Sequence, residues 1–499
     1  MMHNVLEWLE QVDNILTFEF LFFAAAVIVL YYSTPLKCRW MILWAGSAAF
    51  VAAAGWHATA YLTAVALLCW LGGIALGKLT SEWKKKALLA VLLTVDIGAM
   101  LLFKILPVFA DMGFMIPIGL SYYTFQSAGY LIDVYCERAP MQKNPLRMWL
   151  FLGYFPQLTQ GPISQWHELG PQLNNGQRLE PNNIAAGFQL LLWGLFKKLV
   201  VADRLASVSS AWAAGDASMP GWMAFGAVLT ATIRLYADFS GGMDVIRGIS
   251  RMLGIVLPVN FRRPFLAVSL GDYWRRWHIT LGTWFRTYLM YPLTTSRFCI
   301  ALGRSASRVL GKKTGRLLPT ALATLIVFVL IGVWHDLEWN ALIFGAYFGI
   351  LMSASVLLDP LWKYLRRKLH LPKNGWMRPI RIVRTMALVL LAQYFAFVRE
   401  SSQSILLLSR TFSAWDLTGF SARMTEAMSW LEWGILGGGV LIILIVDIIG
   451  EIKDDLGEKL AAGSVWLRWP VLLFLLLAVM IFGIYGPELD STAFLYTQF

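Results

Sequence analysis

Charge is scarce in this sequence. Only 14% of its 499 residues are charged, 58% are hydrophobic, and the mean hydropathy is +0.60. A water-soluble chain of this length needs more polar surface to cover its core. Cysteine is scarce too: Cys38, Cys69, Cys136 and Cys299 are scattered, without a CxxC pair. Neither a disulfide framework nor a cysteine-based zinc site is implied. The six histidines (His3, His57, His167, His278, His335, His370) lack HExxH or similar spacing, so no metal is expected. Alternating ten-residue segments are missing, which argues against a membrane barrel. No internal repeat, polar linker or soluble domain stands out. The opening "MMHNVLEWLEQVDN" has no basic region, so a cleavable signal peptide is not expected.

What recurs instead is a continuous apolar run of about 17–20 residues, the length that crosses a hydrocarbon core. Such runs lie at 16–33, 40–56, 59–77, 87–106, 116–133, 184–201, 222–241, 318–334, 340–358, 385–398, 431–449 and 466–485. They predict an all-α, polytopic membrane protein with about 11–13 transmembrane helices, forming one membrane domain over residues 1–499. Segment 148–163 is apolar but holds Pro156 and Pro162, which fits a re-entrant or interfacial helix better than a span.

Orientation follows from Lys and Arg. Residues 1–16 carry Glu7, Glu10 and Asp13 and no basic residue, whereas Lys37, Arg39, Lys78 and "WKKK" (83–86) mark the opposite face. The N-terminus is therefore expected outside. Segment 247–317 holds thirteen basic residues against one acid, Asp272, an excess equal to the chain's formal net charge of +12. It is expected in the cytoplasm, in contact with anionic lipid, as interfacial amphipathic helices. A subset of these cations could hold a phosphorylated substrate. Nucleic acid is not an expected partner.

Ionisable groups inside spans are costly and mark function by default. His335 closes the apolar run 318–334, in "GVWHDLEWN". It reads either as an inert histidine at the outer interface or as a general base that works at physiological pH. His278, in "WRRWHIT", reads more simply as a solvated interfacial histidine. His167 reads as a loop residue, and His3, His57 and His370 as terminal or loop residues. Asp238 and Asp244, in "YADFSGGMD", suit structural ion pairs with the arginines that follow.

The series "GLSYYTFQSAGYLIDVY" (119–135), "FPQLTQGPI" (155–163), "YADFSGGMDVIRGISRMLGIVLPVNFRRPFL" (236–266), "DYWRRWHITLGTWFRTYLMYPL" (272–293) and "GVWHDLEWNALIFGAYFG" (332–349), with "AFLYTQF" at 493–499, resembles the membrane-bound O-acyltransferase family. The alginate O-acetyltransferase branch is the nearest. The resemblance implies histidine-dependent acyl transfer in a membrane tunnel. It puts the family's essential histidine on His335, the second on His278, and the "WN" asparagine on Asn340. Asp336 stands where the family often has glycine; it could raise the imidazole pKa, fix its tautomer or face away. Asn340, Trp334 and Trp339 are candidate oxyanion donors, and Arg275 and Arg276 candidate contacts for the donor's phosphates. The implied donor is acetyl-CoA, a substrate, with no permanently bound cofactor. The implied partners are membrane lipids and an extracytoplasmic SGNH-type transferase, and the implied location is a bacterial cytoplasmic membrane. D-alanyl transfer to teichoic acid from a carrier-protein thioester is the alternative within the family. A lipid-linked sugar transporter or flippase is the rival from another class, and inverted repeats would favour it.

Overall fold

A computed structural model of the chain describes residues 18–109, 117–309, 311–369, 377–413, 415–453 and 456–485. Glu7, Glu10, Asp13, His3, His370 and the segment 493–499 lie outside the described residues. Helices and turns make up the described chain, with no strand among the described residues. That is the expected outcome where a backbone must satisfy its own hydrogen bonds in lipid.

The helices run in chain order as α1 (Phe18–Ser33), α2 (Arg39–Ala53), α3 (Trp56–Lys78), α4 (Glu82–Phe109), α5 (Leu120–Tyr135), α6 (Pro145–Gly153), α7 (Trp166–Asn174) and α8 (Pro181–Leu195). A π-helical turn, Phe196–Ala202, joins α8 to α9 (Asp203–Ala213), and α10 (Gly221–Met252) follows. The basic segment breaks into short pieces: α11 (Leu270–Tyr273), α12 (Ile279–Phe285), α13 (Tyr291–Thr294), α14 (Arg297–Val309) and α15 (Gly311–Gly315). Then come α16 (Leu318–His335), α17 (Trp339–Lys368), α18 (Arg378–Gln393), α19 (Ser401–Ser413), α20 (Phe420–Ala427), α21 (Trp430–Ile452), α22 (Leu456–Ala461) and α23 (Val465–Phe482).

Each of the twelve apolar runs overlaps a helix within the described residues. Seven stretches among the described residues are long and apolar enough to cross a membrane: Trp56–Lys78, Glu82–Ile105, Pro181–Ala213, Gly311–His335, Trp339–Leu365, Trp430–Ile452 and Val465–Phe482. The remainder fall short for physical reasons. Helices α2 and α5 have 15 and 16 residues, and α10 carries Arg234, Asp238, Asp244, Arg247 and Arg251 along its length. Segment 148–163 does not span: α6 has nine residues, about 14 Å of helix, and a buried turn follows it. Asn144 starts α6 by accepting from the Leu146 and Arg147 amides at 2.9 and 3.3 Å, with Pro145 at the first helical position. This cap fixes where the buried segment begins.

The sequence shows no boundary, but the described chain packs as two compact units. One comprises the chain up to residue 200, 238–259 and the stretch after 453; the other comprises 201–237 and 260–452. In the first unit, α3 packs on α5 and α6, and α4 on α5. Phe20, Phe50 and Phe155 form an edge-to-face cluster there, with centroids 5.9–6.2 Å apart. Helix α8 meets the second half of α10 at near backbone contact. A Cβ on Gly194 would stand 2.5 Å from the Gly241 carbonyl oxygen, so only glycine fits. This approach brings the buried Lys197 and Lys198 against α10. Lys198 Nζ lies 2.6 Å from Asp238 Oδ1, and Lys197 Nζ lies 2.7 Å from Asp244 Oδ2 and 2.9 Å from Ser240 Oγ. Asp244 also accepts from Arg247 at 3.1 Å, the expected pairing with a following arginine. Asp238 pairs with Lys198, a residue that precedes it in sequence, because the glycine contact puts that lysine beside it.

In the second unit, α16 and α17 form an antiparallel hairpin, with α18 packed on α17 and α14 on α16. Here too glycine sets the distance. A Cβ on Gly332 would stand 2.3 Å from the Ala341 carbonyl oxygen, and one on Gly345 2.6 Å from the Phe328 oxygen.

Candidate active site

The close α16–α17 crossing holds the "GVWHDLEWN" corner. His335 is the last residue of α16 and is half-buried. Asp336 leaves the helix in extended conformation, and its carboxylate accepts from the Leu337 amide at 2.7 Å. That carboxylate is used to shape the turn.

The "WRRWH" stretch is fastened to the same hairpin by aromatic rings. Trp274 stands edge-on to Phe328 of α16 and Phe348 of α17, at 5.1 and 5.0 Å. Trp277 stacks on Tyr273 at 5.7 Å and meets Phe261 at 4.9 Å. His278 follows with φ 45 and ψ 55, in the left-handed region. A non-glycine residue held there marks a position the surroundings over-determine.

His278 was expected to be solvated, and the structure corrects this: it is 2% exposed. The backbone reversal at His278 turns the ring inward, where Asn260 receives it. Asn260 Oδ1 accepts from the Thr280 amide at 3.0 Å and from the Thr280 hydroxyl at 2.9 Å, while the Asn260 carbonyl accepts from the Ile279 amide at 3.0 Å. An amide N–H can only donate, so this atom is the amide oxygen. His278 Nδ1 lies 3.3 Å from it, so Nδ1 carries the proton and Nε2 the lone pair. Burial pushes the His278 imidazole well below its usual pKa, and His335 pushes it the same way. The ring is therefore neutral at physiological pH.

Trp334 joins the two histidines. It is nearly buried, with its ring 6.5 Å from that of His278 and 4.7 Å from that of His335. Trp339 is 74% exposed. Asn340 is buried but points elsewhere. Its amide group donates to the carbonyls of Val398 and Arg399 and to Ser404 Oγ, and its oxygen accepts from Ser401 Oγ at 2.6 Å. These bonds tie the start of α17 to the 398–404 loop and α19. Asn340 thus holds the corner in place, with its amide hydrogens already used.

The two arginines before His278 differ sharply. Arg276 binds Glu451 of α21 bidentately at 2.8 and 3.0 Å and Asp272 at 3.1 Å. Arg263 and Arg378 also pair with Glu451, at 3.4 and 2.6 Å. These carboxylates raise the Arg276 pKa further. Arg275 is 63% exposed and has a weak pairing to Asp272 at 3.5 Å. Of the pair, Arg275 has the cation a phosphate could reach.

Asn260, Thr280 and Glu451 escaped the sequence reading. Asn260 sits in "LPVNF" with nothing local to mark it; only the fold shows that a buried imidazole needs its oxygen. Glu451 had a signal: an acid closing an apolar run, in a chain with a large excess of arginine. His57 and His167 are exposed.

Residues 114–306 match the model of the membrane-bound O-acyltransferase family, a range that includes His278 and ends before His335. The chain is similar to "Probable alginate O-acetylase AlgI" of Azotobacter vinelandii, 32% identical over 279 residues, 55% of this chain and 50% of the relative. It is equally similar to a peptidoglycan O-acetyltransferase of Helicobacter pylori, 32% identical over 288 residues, 52% of this chain and 51% of that one. A teichoic acid D-alanyltransferase of Bacillus subtilis is 24% identical over 283 residues, 56% of this chain and 67% of the relative. The chain spans about half the length of the first two relatives. The segment that holds His278, its Asn260 acceptor and the arginine pair falls inside the stretch that matches the family model.

Proposed function

We propose that this chain is a membrane-embedded O-acyltransferase. It takes acetyl from a cytoplasmic thioester, acetyl-CoA, and passes it across the membrane for O-acetylation of an exported or cell-surface polysaccharide. The observation that carries the reading is the paired histidines: one buried and neutral with a defined tautomer, the other at a helix end beside it. In the proposed step, His335 takes the proton from an acceptor hydroxyl as its oxygen attacks the thioester carbonyl. The C–O bond forms, the C–S bond breaks, and the thiolate leaves with a proton returned from His335. A cation at His278 would oppose protonation of His335, so a neutral His278 keeps its neighbour basic. Exclusion of bulk water protects the thioester. The orientation proposed has the N-terminus outside and the 247–317 segment in the cytoplasm of a bacterial inner membrane. An extracytoplasmic SGNH-type transferase would complete transfer to the polymer.

The test is acetyl transfer from radiolabelled acetyl-CoA in membrane vesicles, with His335→Ala and His278→Ala variants quantified for insertion. Both variants should insert normally and lose transfer by at least about 100-fold, the scale of a missing acid–base group. Wild-type transfer in His335→Ala would sink the assignment. Label uptake only from a D-alanyl carrier thioester would move the reading to teichoic acid, which the match to D-alanyltransferases keeps in view.

A further inference from the structure

A pocket of about 200 Å³ opens in the first unit, lined by Gln189, Leu190, Arg247, Arg251, Val256 and Glu458 among others. Three buried polar atoms that lack a hydrogen-bond partner belong to these residues: Arg247 Nε, Arg251 Nε and Gln189 Oε1. The Gln189 orientation is fixed, because its Nε2 donates to the Gly457 carbonyl at 3.1 Å. Two guanidinium groups and one amide thus line one cavity, and each holds a buried polar atom without a partner, which carries a desolvation cost. Each guanidinium is only partly used: Arg247 Nη1 binds Asp244 at 3.1 Å, and Arg251 Nη2 reaches Glu458 at 3.4 Å. The Glu458 side chain is 64% exposed, so it is free to swing away.

The pocket's place in the chain narrows the ligand. Gln189 and Leu190 lie in the opening turns of the stretch that starts at Pro181, and Arg251 is one residue from the end of α10. Glu458 precedes the stretch Val465–Phe482. Both stretches are long and apolar enough to cross a membrane, and Leu190, Ile255, Val256 and Leu257 give the pocket an apolar wall beside the cations. We infer that the pocket binds the headgroup of a membrane phospholipid: a phosphodiester for the two arginines, bearing a hydroxyl or ammonium donor for Gln189. Phosphate oxygens complete the guanidinium donors, the headgroup donor completes Gln189 Oε1, and Glu458 is displaced as the anion enters. Phosphatidylglycerol has the needed set. Phosphatidylcholine has the phosphodiester but no donor. Inorganic phosphate has no acyl chain for the apolar wall.

The experiment uses the detergent-purified full chain, with lipid binding read by native mass spectrometry and melting temperature. Short-chain phosphatidylglycerol should bind and raise the melting temperature; short-chain phosphatidylcholine and millimolar inorganic phosphate should do so far less. Arg251→Gln should weaken phosphatidylglycerol binding about tenfold, the loss expected for one charge-assisted contact. Glu458→Gln, a surface change that leaves both arginines in place, should strengthen it. Gln189→Leu should erase the preference for phosphatidylglycerol over phosphatidylcholine. An equal response to inorganic phosphate would overturn the lipid assignment. Unchanged binding in both Arg251→Gln and Glu458→Gln would overturn the site.

Discussion

Two buried polar sites, one in each unit, are held by opposite means. In the first, Lys197 and Lys198 are charged and enclosed, each within 2.7 Å of a carboxylate. In the second, His278 is equally enclosed but neutral, held by the side-chain oxygen of Asn260. An interior ion pair has nothing left to exchange, since both partners lose if either changes. An interior neutral imidazole, by contrast, still has a protonation equilibrium that its surroundings set. The difference teaches how buried ionisable groups in a membrane protein can be sorted: a closed charge pair is complete in itself, whereas a neutral titratable group remains a candidate for chemistry.

The sharpest way to break this contrast is to remove one lysine. Lys198→Met leaves Asp238 buried and without that cation, which costs about 3–5 kcal/mol. The variant should be recovered from membranes at a small fraction of the wild-type level. The double variant Lys198→Met/Asp238→Leu should regain most of the loss, because similar-sized apolar residues often replace a buried pair at little cost. Recovery by fluorescence size-exclusion chromatography measures both. If the single variant were as stable as wild type, the closed-pair reading would fail.

The same contrast shows how much was legible in the sequence. Apolar run length pointed to twelve helical segments, of which seven are long and apolar enough to cross a membrane; length alone did not separate these from the shorter or charged ones. His335 stood out because ionisable residues are rare in apolar runs, whereas His278, in a basic segment, was singled out only by the family resemblance. The lysine–aspartate partnership was not legible. It depends on Gly194 and Gly241 letting two helices approach, and glycine spacing does not say which helix will come. The environment of His278 was hidden for a similar reason. "WRRWH" is polar and aromatic in sequence, and nothing in it separates the inward imidazole and the locked Arg276 from the exposed Arg275. Asn340 misled because its motif position suggested an oxyanion donor, whereas its amide ties α17 to the 398–404 loop.

A second prediction concerns pH and sharpens the neutral side of the comparison. The folded-state pKa of His278 lies below the ordinary value of about 6.5, so the unfolded chain binds this proton more readily than the folded one. The stabilising contribution is therefore full above pH about 6.5 and is lost as pH falls through the folded pKa. The slope for one group cannot exceed about 1.4 kcal/mol per pH unit. Melting temperatures of wild type and His278→Gln, measured from pH 7.5 to 5.5, should diverge: wild type declines in acid, and the variant declines less. Parallel curves would mean that His278 is not held neutral.

The smallest effects should come from the arginines, where the comparison recurs between neighbours. Arg276 is closed, locked to Glu451 and Asp272; Arg275 is open, 63% exposed with a 3.5 Å contact. Arg276→Ala should cost on the order of 2 kcal/mol, the value of hydrogen bonds to a charged partner. The loss stays moderate because Arg263 and Arg378 remain on Glu451. Arg275→Ala should change stability by no more than about 1 kcal/mol, as for other exposed pairs. Binding of acetyl-CoA separates position from contact. If Arg275 meets the donor's phosphates, its alanine variant binds acetyl-CoA more weakly at unchanged melting temperature, and rising salt narrows the difference. For Arg276, binding and melting temperature should fall together, because its role is to hold the segment that leads to His278. Weaker binding in Arg276→Ala at an unchanged melting temperature would reverse the two assignments.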